Sequence, residues 1–158
     1  MTEEATRSFN SPIGSIFIRA RDNQVVELTI GAPGMPNSGT AEVLDRAEKQ
    51  LTDYFNGESQ ILDFEVLAKG TEFQMAVWRQ ISNIGFGETM TYGEIAEAIG
   101  KPNAVRAVGG AVGANPVPLV IGCHRVLGAA GKITGYSGGD GLPTKRWLLK
   151  LEGIQAKE

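Results

Sequence analysis

Apolar and polar positions alternate along residues 8–30, where "SIFIRARDNQVVELTI" places β-branched residues on both sides of Asp22-Asn23. Strict alternation marks a strand with one buried face. Asp-Asn is turn chemistry, so the stretch predicts a β-hairpin. The alternation ends at the Gly/Pro/Ser loop "GAPGMPNSG". It gives way to a helical period in "TAEVLDRAEKQLTDYFNG", which spaces Val43, Leu44, Ala47, Leu51 and Phe55 along one face. Asn56-Gly57 supplies the stop. "LDFEVLAKG" (62–70) reads as a strand running into a linker, and a second helical period follows in "TEFQMAVWRQISNI", with Phe73, Val77, Trp78 and Ile81 on one face. These changes place a boundary near residues 66–71 and divide the chain into domains over 1–68 and 69–158. Nothing before residue 70 forms a catalytic constellation, so the first domain reads as a small α+β scaffold. There is no internal repeat.

The second half carries a helix pair. Thr91 and Glu94 in "TYGEIAEAIG" have the spacing of a capping box, with Ile95, Ala98 and Ile99 as the apolar face and Gly100 as the stop. Asn103 is placed to cap a second helix. Two helices across a tight turn read as helix-turn-helix. The second helix, "AVRAVGGAVGAN", holds Gly109, Gly110 and Gly113. Each glycine costs about 1 kcal/mol relative to alanine inside a helix. Either another helix packs closely there, or something bulky approaches the backbone from outside. Helices that read base edges in the major groove carry several polar side chains. This one has a single long cation, Arg106, which suits a shallow contact in a minor groove with Arg106 reaching into the base stack.

Charge modifies this picture slightly. The 158 residues carry a formal net charge of −3, which taken whole argues against a nucleic-acid partner. The balance is uneven. Residues 1–70 hold 6 Lys/Arg against 11 Asp/Glu, and residues 71–158 hold 9 against 7, so any polyanion contact belongs to the second half. The chain shows no apolar run long enough to span a membrane and no secretory signal in "MTEEATRSFN". One cysteine precludes an internal disulfide and fits a reducing cytoplasm. One Cys and one His leave only carboxylates to complete a zinc site, so no metal is expected. No phosphate-loop or dinucleotide fingerprint is present.

The single cysteine and the single histidine are adjacent in "VIGCHRV". A lone Cys is commonly a small buried hydrophobe; a Cys beside a His is also the composition of an activated nucleophile. Leu119-Val120-Ile121 reads as a short buried strand delivering Cys123 to its end. Neighbouring strand side chains point to opposite faces. A Cys123–His124 proton transfer therefore needs either a turn at Gly122 or a relaying water. The carboxylate that would hold the imidazole lies elsewhere, and Glu152 is a candidate in "PTKRWLLKLEG", where Pro143 suits a helix start and Gly153 its end. Between them, "GAAGKITGYSGGDG" offers a Gly-rich loop with Tyr136 and Ser137, either a surface turn or a wrap around a planar ligand.

Together the stretches "GTEFQMAVW", "TYGEIA", "RAVGGAVGANPVPLVI", "CHRV", "GYSGG" and "WLLKLEG" resemble the methylated-DNA–protein-cysteine methyltransferases, or 6-O-alkylguanine-DNA alkyltransferases. The resemblance runs from about Gly70 to Gly153, and "QLTDYFNG" fits that family's first domain. It implies an α+β protein, with a small ribonuclease H-like α/β domain before a mostly helical domain containing the helix-turn-helix. It implies single-turnover repair: an alkyl group leaves 6-O-alkylguanine, and possibly 4-O-alkylthymine, for the protein's own thiol, without cofactor. It assigns Cys123 as acceptor, His124 as its base through a water, Glu152 as the group orienting His124, and Asn115 as the residue steadying the turn. Tyr92 would give guanine a proton and press on a phosphate, and Arg106 would fill the gap left by the flipped nucleotide. Ala104, Ala107, Gly109, Gly110 and Arg125 would meet DNA with them, and Val126, Tyr136 and Ser137 would line the guanine pocket. The implied partner is double-stranded DNA, met in the minor groove by a cytoplasmic monomer with no membrane contact. Gly122 stands where the family usually has proline, so slower transfer is expected. Val112-Gly113 stands where many members carry a cation, so duplex affinity should be modest. Relatives that only bind alkylguanine and recruit other factors lack the acceptor cysteine and form the alternative. A sequence-reading regulator and a cysteine hydrolase fit less well.

Overall fold

A computed structural model describes residues 3–31 and 34–158. The alternating stretch is more than a hairpin. Strands β1 (Glu4–Ser11), β2 (Gly14–Arg21) and β3 (Gln24–Ile30) form an antiparallel meander in the order β1-β2-β3. Asp22 and Asn23 both have positive φ (50° and 61°), as a two-residue turn matched to strand twist requires. That turn has a second role. The Asn23 side chain accepts from the Val43 amide at 2.9 Å, and so closes the start of helix α1 (Glu42–Phe55), whose own N-cap Ala41 has no side chain to do it. The periodic face of α1 lies on the sheet: Val43, Leu44, Ala47, Leu51 and Phe55 are buried, and Tyr54 joins them.

Residues 62–70 do not form the expected strand. They make one bridge, Val25 to Val66, and otherwise run irregularly into helix α2 (Glu72–Ser82). The second half then comprises β4 (Met90–Thr91), α3 (Tyr92–Ala98), α4 (Val105–Gly113), β5 (Val126–Leu127) and α5 (Leu142–Leu151). The Thr91–Glu94 capping box is formed, and Gly100 follows α3 with φ of 75°. Asn103 does not cap α4. The N-cap is Ala104, with no side-chain bond, and the turn is closed instead by the Ala104 amide on the Lys101 carbonyl. The Trp78 indole donates to the Ala111 carbonyl at 2.8 Å and fastens α2 to α4.

Two apolar clusters fill the interior among the described residues. One is built on the sheet and α1, but Val117, Leu119 and Leu148 from the second half complete it, so the first half does not close a core by itself. The other joins α2, α3 and α4 around Val77, Ile81, Ile95 and Val108, with Cys123 at its edge. No helix among the described residues is long and apolar enough to cross a membrane.

Candidate active site

The chain reaches Cys123 through a turn. Leu119-Val120-Ile121 is not the expected strand: Pro118 bridges Ile121, and Leu119 is buried with φ of 79°. Asn115 spans this turn, its amide nitrogen donating to the Ile121 carbonyl at 2.7 Å and its oxygen accepting from the Val117 amide at 2.9 Å. The Cys123 amide returns to the same Ile121 carbonyl at 2.7 Å across Gly122, whose φ of −71° and ψ of 63° make an inverse γ-turn. A single 3-10 turn, Cys123–Arg125, follows. The chain does turn at Gly122. The parallel pairing of Met90 with Val126 sets β4 against β5, and so brings Tyr92, which opens α3, beside the turn that carries Cys123.

Glu152, at the end of α5, collects five hydrogen bonds. One carboxylate oxygen, Oε2, accepts from His124 Nε2 at 2.6 Å, the Tyr54 hydroxyl at 2.6 Å and Arg125 Nη2 at 2.9 Å. The other, Oε1, accepts from Arg125 Nε at 2.8 Å and the Gly87 amide at 3.1 Å. Burial opposes its charge, but the imidazole and the bidentate guanidinium outweigh burial and hold the carboxyl well below the usual carboxylate range. An ionised Glu152 can only accept, so His124 Nε2 carries the hydrogen and neutral His124 presents a lone pair on Nδ1. That Nδ1 is buried and has no protein partner among the described residues. Burial lowers the His124 pKa against the pull of Glu152, which keeps the ring neutral and available as a base.

The Cys123 thiol is buried at one end of a pocket of about 230 Å³. Tyr92, Gly109, Gly113, Tyr136 and Ser137 line it with Val112 and Gly135. Burial pushes the thiol pKa up, while Asn115, the Lys145 ammonium and Tyr136 pull it down. Lys145 is fully buried, and its Nζ donates to the carbonyls of Val126 (2.7 Å), Thr134 (2.8 Å) and Gly135 (3.4 Å). It thereby ties the strand after the thiol to the loop that carries Tyr136.

Cys123, His124, Glu152, Asn115, Tyr92, Tyr136 and Ser137 therefore converge on one place. Val126 does not: it is buried behind the pocket and offers its carbonyl to Lys145. Arg125 departs from the expected DNA contact. It is buried, and its guanidinium is committed to Glu152 and the Ile84 carbonyl, because an unpaired cation there would be costly. Arg106, Ala107 and Gly110 are exposed along α4, with Gly109 and Ala104 half-buried. A Cβ at Gly109, Gly110 or Gly113 would meet nothing within 4 Å, so close helix packing does not account for these glycines; their faces are open. Tyr54, Gly87 and Lys145 belong to the site and were not expected there. No group of three or more His, Cys, Asp or Glu suited to a metal ion occurs among the described residues.

The second half matches a family model described as the 6-O-methylguanine DNA methyltransferase DNA-binding domain, over residues 72–154. A methylated-DNA–protein-cysteine methyltransferase of Methanosarcina acetivorans is 45% identical over 152 residues, covering 92% of this chain and 96% of its own. This chain belongs to the methylated-DNA–protein-cysteine methyltransferase family. The Mycolicibacterium paratuberculosis member is also 45% identical, across 92% of this chain and 90% of its own. Among solved structures, the O6-methylguanine methyltransferase of Mycobacterium tuberculosis superposes with a TM-score of 0.83 at 39% identity, covering 95% of this chain and 93% of that one. The M. tuberculosis OGT in complex with DNA gives 0.84 at 41%, covering 96% and 94%.

Within this methyltransferase family member, Gly122 has already taken proline's backbone angle, since −71° lies inside the range a pyrrolidine ring allows. The glycine costs freedom, not direction. A Cβ there would sit 3.2 Å from Arg125 Cδ and Nη1, close enough to require a small shift. Gly122→Pro is expected to raise stability by about 0.5–1 kcal/mol and to leave the thiol at least as reactive. Urea unfolding and single-turnover kinetics check this; a lowered midpoint would show that Arg125 cannot yield.

Proposed function

We propose that this chain repairs DNA by taking the alkyl group of 6-O-alkylguanine irreversibly onto Cys123, once per molecule. The observation that carries the reading is the chain's one thiol facing a base-sized pocket, beside an imidazole held in the basic tautomer by a buried carboxylate.

The target atom sits inside the duplex stack, so the nucleotide must be flipped out. Helix α4 offers an open glycine face and exposed Arg106, which suit a minor groove, with Arg106 entering the space the base leaves. In that role α3 and α4 act as the helix-turn-helix, and Tyr92, Ala104, Ala107, Gly109 and Gly110 meet the backbone and groove. The flipped guanine enters between Tyr92, Tyr136 and Ser137. The Cys123 proton passes to His124 Nδ1 through an intervening water, and Glu152 stabilises the imidazolium. Sγ then forms a bond to the alkyl carbon as the carbon–oxygen bond breaks. The released electron pair returns to guanine, which gains a proton from the Tyr92 hydroxyl. The product is a thioether, which offers no route back to the thiol, unlike a disulfide or sulfenic acid. No cofactor enters the balance. Residues 1–68 serve as a ribonuclease H-like scaffold and 69–158 as the reacting domain, in a monomer kept reduced in the cytoplasm. The acceptance of 4-O-alkylthymine is set by the same pocket.

The test is intact mass and peptide mapping after incubation with a duplex carrying 6-O-methylguanine. One methyl per molecule on Cys123 is expected. Retained duplex binding without any mass gain would replace this reading with that of a damage-binding protein that recruits other factors.

A further inference from the structure

Tyr54 is the only side chain of the first half that hydrogen-bonds to Glu152 among the described residues. It lies in the last turn of α1, 98 residues away in sequence, and its hydroxyl donates at 2.6 Å to Oε2, the same oxygen that holds His124. The ring is fixed edge-on by Phe55 (centroids 5.6 Å) and Phe86 (6.2 Å), and the residue is buried. A buried tyrosine elsewhere in the core needs a partner for its hydroxyl; here the partner is a carboxylate that already has a guanidinium, an amide and an imidazole. We propose that Tyr54 is a positioning residue of the Cys123–His124–Glu152 relay, through which the first half of the chain governs how readily His124 takes the thiol proton. This rests on the proposed alkyl transfer for its purpose, but not for its test.

The physical argument concerns one oxygen. Oε2 shares its electron density between the Tyr54 hydroxyl, Arg125 and His124. A donor removed from a carboxylate makes it a stronger base toward the donors that remain. Without the Tyr54 hydrogen bond, Glu152 holds the imidazolium more tightly and His124 is protonated at higher pH. Tyr54 thus keeps His124 neutral where the base is needed. The other charged or titratable groups facing the pair are Arg125 and Cys123 on the same turn, Lys145 from α5 and Tyr136 beyond the thiol, and Tyr54→Phe leaves each in place.

Tyr54→Phe removes one oxygen and keeps the ring, so packing against Phe55 and Phe86 survives. Glu152 keeps four of its five bonds, and no polar atom is stranded. Alkylation of the full-length protein by iodoacetamide is followed against pH by intact mass, which is unambiguous because the chain has one cysteine. The control is Phe86→Leu, which loosens the same aromatic contact and touches no charge. The acid limb of the rate profile is expected to move up by about half a pH unit in Tyr54→Phe and to stay in place in Phe86→Leu. A Tyr54→Phe profile that coincides with wild type overturns the proposal, and so does an equal shift in both variants, which would make the effect one of packing. The probe needs neither DNA nor alkylguanine. A protein that fails to take methyl from DNA while showing the shift would lose the alkyl-transfer reading and keep this one.

Discussion

Glu152→Gln is expected to slow alkyl transfer by about 10²–10⁴-fold, the usual contribution of a positioned general base. It should also destabilise the protein by about 3–5 kcal/mol, the cost of leaving a buried cation unpaired. Both follow from one change. The carboxamide keeps a single carbonyl where the carboxylate offers two oxygens to five donors. Its NH₂ must face either the Arg125 guanidinium or the His124 ring. Facing the ring, it asks Nε2 to accept, which moves the ring hydrogen to Nδ1 and removes the unpartnered lone pair there. Single-turnover kinetics read the first effect and urea unfolding the second. Unchanged reactivity with lowered stability would reduce Glu152 to an Arg125 partner. The pH dependence has a definite sign. The folded carboxyl titrates well below its unfolded value of 4.5, so the unfolded chain binds the proton first as pH falls. The stabilisation is complete above that value and is lost as pH drops below it. His124 acts in the same direction below its ordinary value of 6.5, because burial lowers its pKa. Glu152→Gln should therefore flatten the acid side of the stability curve while lowering its plateau.

The parts legible in the sequence were those whose cause is local. Helices α1 and α2 show their buried faces as a 3.6-residue period, and the Thr91–Glu94 box is a local exchange of hydrogen bonds. The short α3 departs from its expected face: Ile95 is buried with Ala96, while Ala98 is exposed and Ile99 half-buried. The adjacency of Cys123 and His124 is itself a local signal, and Glu152 lies where the helix-end pattern of "WLLKLEG" puts it. What stayed hidden depends on contacts between distant segments. Tyr54 sits on the buried face of α1, yet nothing near it in sequence signals a partner 98 residues on. Lys145 lies in "PTKRWLLK", where a lysine beside an arginine reads as solvated charge; only the fold shows three carbonyls around it. Arg125, which the resemblance places against DNA, is held instead by a carboxylate 27 residues on, a partner no local pattern signals. The turn at Leu119–Ile121, where the apolar run predicts a strand, has a nearer cause. Its β-branched run suggested extension, but Pro116 and Pro118 cannot join a central ladder, and the segment turns.

Lys145 carries the second large expectation. It is fully buried and makes no ion pair among the described residues, so its ammonium is satisfied by carbonyls alone. Burial pushes its pKa down to about 8, and the Cys123 thiolate pulls it upward. The relation is mutual: a charged Lys145 favours the thiolate, and an ionised Cys123 favours the ammonium. Lys145→Met nearly preserves the volume but takes the donor from the carbonyls of Val126, Thr134 and Gly135. A buried acceptor left alone costs about 1–3 kcal/mol, which applies to Val126; Thr134 and Gly135 are exposed, so water can take over at their carbonyls, and methionine avoids the desolvation of the ammonium. A net loss of about 1–2 kcal/mol is expected in urea unfolding. The thiol should then need higher pH to ionise, because the ammonium that pulls its pKa down is gone, and iodoacetamide alkylation near neutral pH should fall. Lys145→Arg separates the two effects, since a guanidinium keeps the charge but cannot place one nitrogen among three carbonyls. If the arginine variant is destabilised yet ionises its thiol as wild type does, the charge acts on Cys123 independently of the clamp. If both variants lose reactivity equally, the clamp matters more: the Tyr136 loop and the strand after Cys123 must be held together for the thiol to face the pocket at all.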